Sequence, residues 1–300
     1  MPTPFTKEWE IDGRSVRRAI EHHVAHGCDG VMLAGTCGEG PWLRDSQLES
    51  LVKNAADQSS GRLRIGAQAT DNSPGQILDR LEALAGWGVE FGVVAQPFLF
   101  MNATSTRLRD FYLEIFERSP LPVFFYDRGR ASSTPVPLEI LGEIISHPRV
   151  IGVKDSAGEA ERWTVVSAVR RSRPELLVLT GNEFTLLDAL RDGYDGAFVG
   201  GGILTAGIIR SILERFAAGA EEAAAALDAR AKKALFAIYG GPKITCWLAG
   251  EKYALMRLGI FSHWHNIPGY PLTESCRTAI DETVESAEWL RPGAPVREVS

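Results

Sequence analysis

The sequence of 300 residues predicts an α/β protein, a (β/α)8 TIM barrel with a C-terminal helical extension. Three observations lead to this class. Short apolar runs alternate with longer amphipathic ones about every thirty residues, which implies parallel strands joined by crossover helices. The length suits a barrel, which commonly takes about 250 residues, with some chain to spare. A GxGxxG turn after an early strand, the mark of an open doubly wound sheet, does not occur; Gly200-Gly201-Gly202 follows the last apolar run and lacks that spacing.

Seven strands are expected, at 30–34, 63–69, 91–96, 122–127, 150–155, 176–181 and 196–200. Helical patterns separate them, at 15–26, 45–58, 74–87, 106–118, 137–146, 159–171, 183–192 and 205–218. Capping residues open several of these, as in Asp45-Ser46 and Asn72-Ser73-Pro74, and Gly27, Gly88 and Gly193 close others. An eighth strand has room only at 1–5, as a stub. Beyond Ala218 the pattern is wholly helical, over 221–239, 243–258 and 273–290. The expected division is a catalytic barrel over 1–220 and a helical region over 221–300 packed on it, with no Gly/Ser-rich linker.

Composition narrows the partners. Hydrophobic residues at 45% and charged residues at 23% fit a globular chain with a sizeable core, so extensive disorder is not expected. A net charge of -6 speaks against a nucleic-acid partner. The densest basic cluster, Arg170, Arg171 and Arg173, falls where a helix ends and cations meet its dipole. Four cysteines without a CxxC pair suggest neither zinc nor a disulfide framework, and a reducing compartment. The N-terminal stretch is charged and proline-rich, and no window of about 18 apolar residues occurs, so neither a signal peptide nor a membrane span is expected and the location reads as cytoplasmic. His263 and His265 form an HxH pair, but no third ligand is placed by spacing and a loop is the simpler reading.

In a barrel, chemistry belongs at the C-terminal ends of the strands. Lys154 ends the run Val150-Ile151-Gly152-Val153. Apolar surroundings disfavour an ammonium, and a neutral amine there can attack a ketone to form an imine; a structural lysine paired with Asp155 or Glu183 is the other reading. Tyr126 ends the preceding strand, where a phenol can pass protons to the imine or simply pack. After the strand at 30–34, Gly35-Thr36-Cys37-Gly38-Glu39-Gly40 can present successive backbone amides to a carboxylate or phosphate. An anion cradle, a phenol and an amine together suit a negatively charged oxo compound.

These residues resemble a known family, the pyruvate-dependent lyases and aldolases that include dihydrodipicolinate synthase and N-acetylneuraminate lyase. Thr3-Pro4-Phe5 is similar to the family's Thr-Pro-Phe, Gly35-Thr36-Cys37-Gly38-Glu39 to its Gly-Thr-Thr-Gly-Glu, Tyr126 to the tyrosine of its Tyr-Asn-x-Pro, and Gly152-Val153-Lys154-Asp155 to its Gly-Ile-Lys-Glu. Thr180-Gly181-Asn182 and Gly196-Ala197-Phe198 resemble its glycine-led segments in the last two strands. The resemblance implies a homotetramer (dimer of dimers) with no metal or organic cofactor. It implies a 2-oxo acid held by the amides of Thr36 and Cys37, an imine on Lys154, and proton transfer by Tyr126 and the Thr36 hydroxyl. Gly181 and Phe198 would line the substrate.

Departures bear on the substrate. Synthases of the family place a second tyrosine in Pro-Tyr-Tyr where this chain has Pro97-Phe98-Leu99, and leucine relays no proton. Asp127-Arg128-Gly129-Arg130 replaces the segment after the tyrosine, and Arg128 or Arg130 reads either as a contact for a second anionic group or as a solvated loop arginine. The leading expectation is therefore a Schiff-base lyase on pyruvate or a related 2-oxo sugar acid. Dihydrodipicolinate synthase proper, a sugar-acid dehydratase, a 2-oxo acid binder without turnover and a phosphosugar isomerase are the alternatives.

Overall fold

A computed structural model describes residues 1–294 and Val296. The chain divides into two compact units, residues 66–199 and residues 1–65 with the chain from Gly200 onward.

In the unit spanning 66–199, β2 (Arg64–Gln68, from Gly66 on), β3 (Phe91–Ala95), β4 (Val123–Asp127), β5 (Val150–Asp155), β6 (Leu177–Thr180) and β7 (Gly196–Ala197) pair in parallel. Helices α3 (Pro74–Gly86), α4 (Ser105–Arg118), α5 (Leu138–Ile145), α6 (Ala160–Ser172) and α7 (Leu186–Asp192) connect them. Side chains alternate between the two faces of a strand. One face of β4 and β5 carries Phe125 and Val153 toward the helices, where Tyr112 meets Phe125 edge-on at 5.4 Å between centroids. Fully burying such aromatic and aliphatic groups contributes roughly 1.5–3 kcal/mol each. The other face carries Phe124, Tyr126, Gly152 and Lys154, with Tyr126 directly opposite Lys154 in the register.

Glycines make room on that face. A side chain at Gly152 would lie 2.8 Å from two ring atoms of Phe124 and closer to a third, and one at Gly66 would overlap the Phe91 ring. The space is filled by three rings, Phe91, Phe124 and Phe198, with centroids 5.3 to 6.3 Å apart. The basic cluster at the end of α6 is tied into this unit: Arg170 pairs with Asp195, and Arg173 donates to the carbonyls of Ile145, His147 and Val150 at 3.0 Å.

The other unit holds β1 (Gly30–Leu33), α1 (Gly13–Ala25), α2 (Asp45–Ser59) and α8 to α11 (Gly202–Ala217, Glu221–Tyr239, Trp247–Arg257 and Glu274–Ser286). Helix α8 lies against α9, and α9, α10 and α11 pack on one another. The stub strand expected at 1–5 is not formed as a ladder. Only Phe5 bridges, antiparallel to Ile11, while the Met1 ammonium donates to Met32 O at 2.9 Å. Pro2 and Pro4 lack the N–H groups that a ladder needs. Helix α10 starts at Trp247 and not at 243, because Gly240, Gly241 and Ile244 all adopt left-handed backbone and Thr245 Oγ1 donates back to Gly240 O. Helix α8 starts at Gly202, three residues ahead of the expected start, with Ile203 and Leu204 buried. Among the described residues no helix is long and apolar enough to cross a membrane.

Candidate active site

Lys154 is 9% exposed at the end of β5, and its Nζ lies 4.3 Å from the centroid of the Tyr126 ring and 5.4 Å from that of Phe198. Three of the expected residues, one from each of three strands or strand ends, therefore meet around one amine. The aromatic faces carry negative quadrupole density and favour a cation above them. Gly181 closes β6 nearby: its amide donates to Asp155 O, and a Cβ there would lie 3.1 Å from that oxygen and overlap the Ser156 hydroxyl.

Asp155, beside the lysine in sequence, points to the other face. Its Oδ1 accepts from the amides of Ala157 (2.8 Å) and Gly158 (3.2 Å), and its Oδ2 from the Tyr194 hydroxyl at 2.5 Å. Tyr194 in turn stacks on Trp163 at 4.5 Å, so the loop after β5 is held from both sides. Burial, and the Asp155 charge after it, push the Tyr194 phenol far up, so it stays a donor.

The loop after β4 is fixed by a buried pair. Arg162 Nε donates to Asp127 Oδ2 at 2.5 Å, both side chains being nearly inaccessible, and Asp127 Oδ1 accepts from Gln96 Nε2 and Gly129 N. Burial raises the Asp127 carboxyl, against the lowering pull of Arg162. Arg130 extends outward, 77% exposed, to Glu161 and Glu159 at the start of α6, while Arg128 Nη2 donates to Ala131 O at 3.5 Å. Leu99 is 65% exposed, between Phe98 and Met101, which are exposed as well.

In the other unit, Thr36 and Cys37 sit half-buried in a tight turn after β1. Ala34 and Glu39 take left-handed backbone (φ 53° and 59°), a strained choice for residues with side chains. Gly40 N donates to Gly35 O and Glu39 N to Thr36 O, and a Cβ at Gly38 would come within 2.9 Å of two backbone nitrogens. Gly200 leaves the space that Cys37 Sγ occupies. Thr36 also borders a cleft of about 390 Å³ walled by Trp42, Trp247, Tyr270 and the chain from Pro268 to Pro271.

Below this turn is a feature that sequence reasoning missed, because its members stand 213 residues apart. Lys252 of α10 pairs with Glu39, and neither side chain is accessible to solvent. Burial pulls the Lys252 ammonium down to about 8 and pushes the Glu39 carboxyl up, while their attraction opposes both. Gly66, Phe91 and Phe124 were missed too; a glycine inside a strand was the one signal, and it pointed to Gly66 alone. His263 and His265 stack on each other, and among the described residues no group of three His, Cys, Asp or Glu side chains is placed to hold a metal ion.

The dihydrodipicolinate synthetase family model matches residues 1–287. The chain belongs to that family. It is accordingly an enzyme, a lyase of the class I aldolase kind. A 4-hydroxy-tetrahydrodipicolinate synthase of Stenotrophomonas maltophilia is 27% identical over 94% of this chain and 92% of its own length. Among solved structures, a dihydrodipicolinate synthase of Acinetobacter baumannii complexed with pyruvate superposes with a TM-score of 0.83 at 20% identity, covering 96% of this chain and 97% of that one. CdNal of Clostridium difficile, in complex with mannosamine, gives 0.84 at 18% identity over 95% and 96%. At such identities the structures establish the fold, a (β/α)8 barrel with C-terminal helices.

Proposed function

We propose that this lyase forms a Schiff base between Lys154 and pyruvate or a related 2-oxo sugar acid. The observation that carries the reading is the buried Lys154 amine set against the rings of Tyr126 and Phe198 at the end of β5. Attack of the amine on the ketone carbon gives a carbinolamine, and protonation of its hydroxyl with loss of water gives a protonated imine. The new positive charge forms where two aromatic faces favour a cation. The iminium then takes the electron pair when the neighbouring carbon loses a proton or its bond to the next carbon breaks, leaving an enamine; Tyr126 is assigned the proton. The substrate's carboxylate is assigned to the backbone amides of Thr36 and Cys37, with the Thr36 hydroxyl in the proton path.

Leu99 at the position of the synthases' second tyrosine favours cleavage or dehydration of a 2-oxo sugar acid over condensation with aspartate semialdehyde. Arg128 stands ahead of Arg130 for a second anionic group, since the acids of α6 already engage Arg130. The reading includes a homotetramer, supported by the exposed apolar run Phe98, Leu99 and Met101, and a cytoplasmic location.

Turnover tests it. Purified enzyme is incubated with a panel of 2-oxo sugar acids while pyruvate release and dehydration products are both followed. At least one substrate should be consumed over many equivalents, and Lys154→Ala should consume none. Retained turnover in that variant contradicts the reading.

A further inference from the structure

We infer that Glu39 and Lys252 form a buried positioning pair that holds the turn after β1, and with it the Thr36 and Cys37 amides, in shape for the substrate's carboxylate. The inference rests on the carboxylate-binding role proposed above for those amides. Both carboxylate oxygens of Glu39 are used. Oε1 takes the Lys252 ammonium and Oε2 takes the amide of Ile267 at 2.6 Å. Lys252 Nζ donates a second time, to His265 O at 2.6 Å, and lies 4.6 Å from the centroid of the Phe5 ring. Four stretches of chain are thus fastened at one ion pair: the N-terminal segment, the turn, α10 and the loop at 265–267. Thr3 Oγ1 adds a bond to Gly38 O at 2.5 Å, one residue from Glu39.

A buried ion pair is a poor source of net stability, since desolvation cancels most of the attraction and an apolar pair of similar volume does as well or better. What it supplies is geometry. The turn puts Ala34 and Glu39 in left-handed backbone, which relaxes unless the surroundings hold it. Glu39 is the strained residue and the anchored one at once. Its carboxylate, fixed from two sides, sets the plane of the turn whose preceding amides are those of Thr36 and Cys37. Lys252 acts through Glu39 and is a positioning residue.

The test uses the full chain with Lys252→Met, Glu39→Gln and the double substitution, each checked for folding by circular dichroism and denaturant titration. Amide hydrogen exchange is read by mass spectrometry in peptides covering 31–43 and, as a reference, 150–155. The pyruvate concentration giving half-maximal borohydride trapping on Lys154, and the limiting trapping rate, are read in parallel. In Lys252→Met the 31–43 peptides should exchange about tenfold faster or more while the reference is unchanged. Half-saturating pyruvate should rise about tenfold or more with the limiting rate within about threefold, and the double variant should recover global stability, because it leaves no buried charge alone, while keeping most of both local effects, because the bond that fixes the Glu39 carboxylate is gone. Should Lys252→Met not fold, Glu39→Gln, which keeps an amide in place, carries the same expectation in weaker form. Wild-type exchange at 31–43 in a folded variant overturns the inference, as does faster exchange in all peptides alike, which marks a general structural staple. If the wild type traps no 2-oxo acid, the proposed function fails, and the exchange measurement alone decides whether the pair holds the turn.

Discussion

Gly152→Ala is a small change with a large expected effect. The added methyl would stand 2.8 Å from Cδ1 and Cζ of Phe124 and nearer still to Cε1. Carbon atoms in contact prefer about 3.5–4.0 Å, so the ring or the strand must move. The ring has little freedom: Phe124 is 5% exposed and packs against Phe91 at 5.3 Å and Phe198 at 5.5 Å between centroids. Overpacking of this kind costs about 1–3 kcal/mol. For a chain of this size that corresponds to a fall of roughly 2–5 °C in Tm. Phe198 is also one of the two rings beside the Lys154 amine, so displacement of the aromatic group should slow trapping of pyruvate as well. Differential scanning calorimetry and timed borohydride trapping measure the two effects. Phe124→Leu in the Gly152→Ala background should restore part of both, because it removes the atoms that collide, giving a coupling energy of about 0.5–3 kcal/mol in the double-mutant cycle. An unchanged Tm with unchanged trapping in Gly152→Ala refutes the packing account, and strictly additive effects refute the assignment of the strain to Phe124.

Other outcomes follow from the same structure. Arg162→Met leaves the Asp127 carboxylate buried without its cation and should destabilise the fold by about 3–5 kcal/mol in urea titration, most of it recovered by adding Asp127→Asn. Gly200→Ala should weaken pyruvate binding by crowding Cys37 Sγ, and Cys37→Ala in that background should restore it, whereas Cys37→Ser alone should leave pyruvate half-saturation nearly unchanged because the proposed carboxylate contact is to the backbone amide. Stability should fall as pH drops from about 6.5. Burial pulls His22 down to about 4 and His23 to about 3, so over that interval the unfolded chain binds protons that the native one does not. With both groups the slope approaches 2.7 kcal/mol per pH unit, about 1.4 for each, and it flattens below about pH 3; denaturant titrations of His23→Gln against wild type should show a shallower profile in the variant.

The parts legible in the sequence are those governed by local periodicity. The alternation of apolar and amphipathic runs gave seven strands and their connecting helices, because each strand of a covered parallel sheet is apolar on both faces and each helix on one. It also put Lys154 and Tyr126 at strand ends, and β4–β5 register made them neighbours. What was illegible depends on pairing at a distance or on backbone chemistry that overrides pattern. Pro2 and Pro4 remove a ladder that hydropathy alone would allow, and left-handed residues at 240–244 delay α10. Glu39 reads as one more polar residue in a glycine turn until the fold brings Lys252 to it. The loop arginines illustrate the converse: Arg130 has the right charge for a substrate, but Glu159 and Glu161 meet it first.

The central claim is that the amine of Lys154 bonds to the ketone carbon of a 2-oxo acid. Borohydride reduction in the presence of pyruvate, followed by digestion and tandem mass spectrometry, reads this directly. The account predicts a stable reduced adduct on the peptide containing Lys154 and on no other lysine peptide, and none at all without pyruvate. No adduct with pyruvate or any other 2-oxo acid, or an adduct on a different lysine, contradicts it.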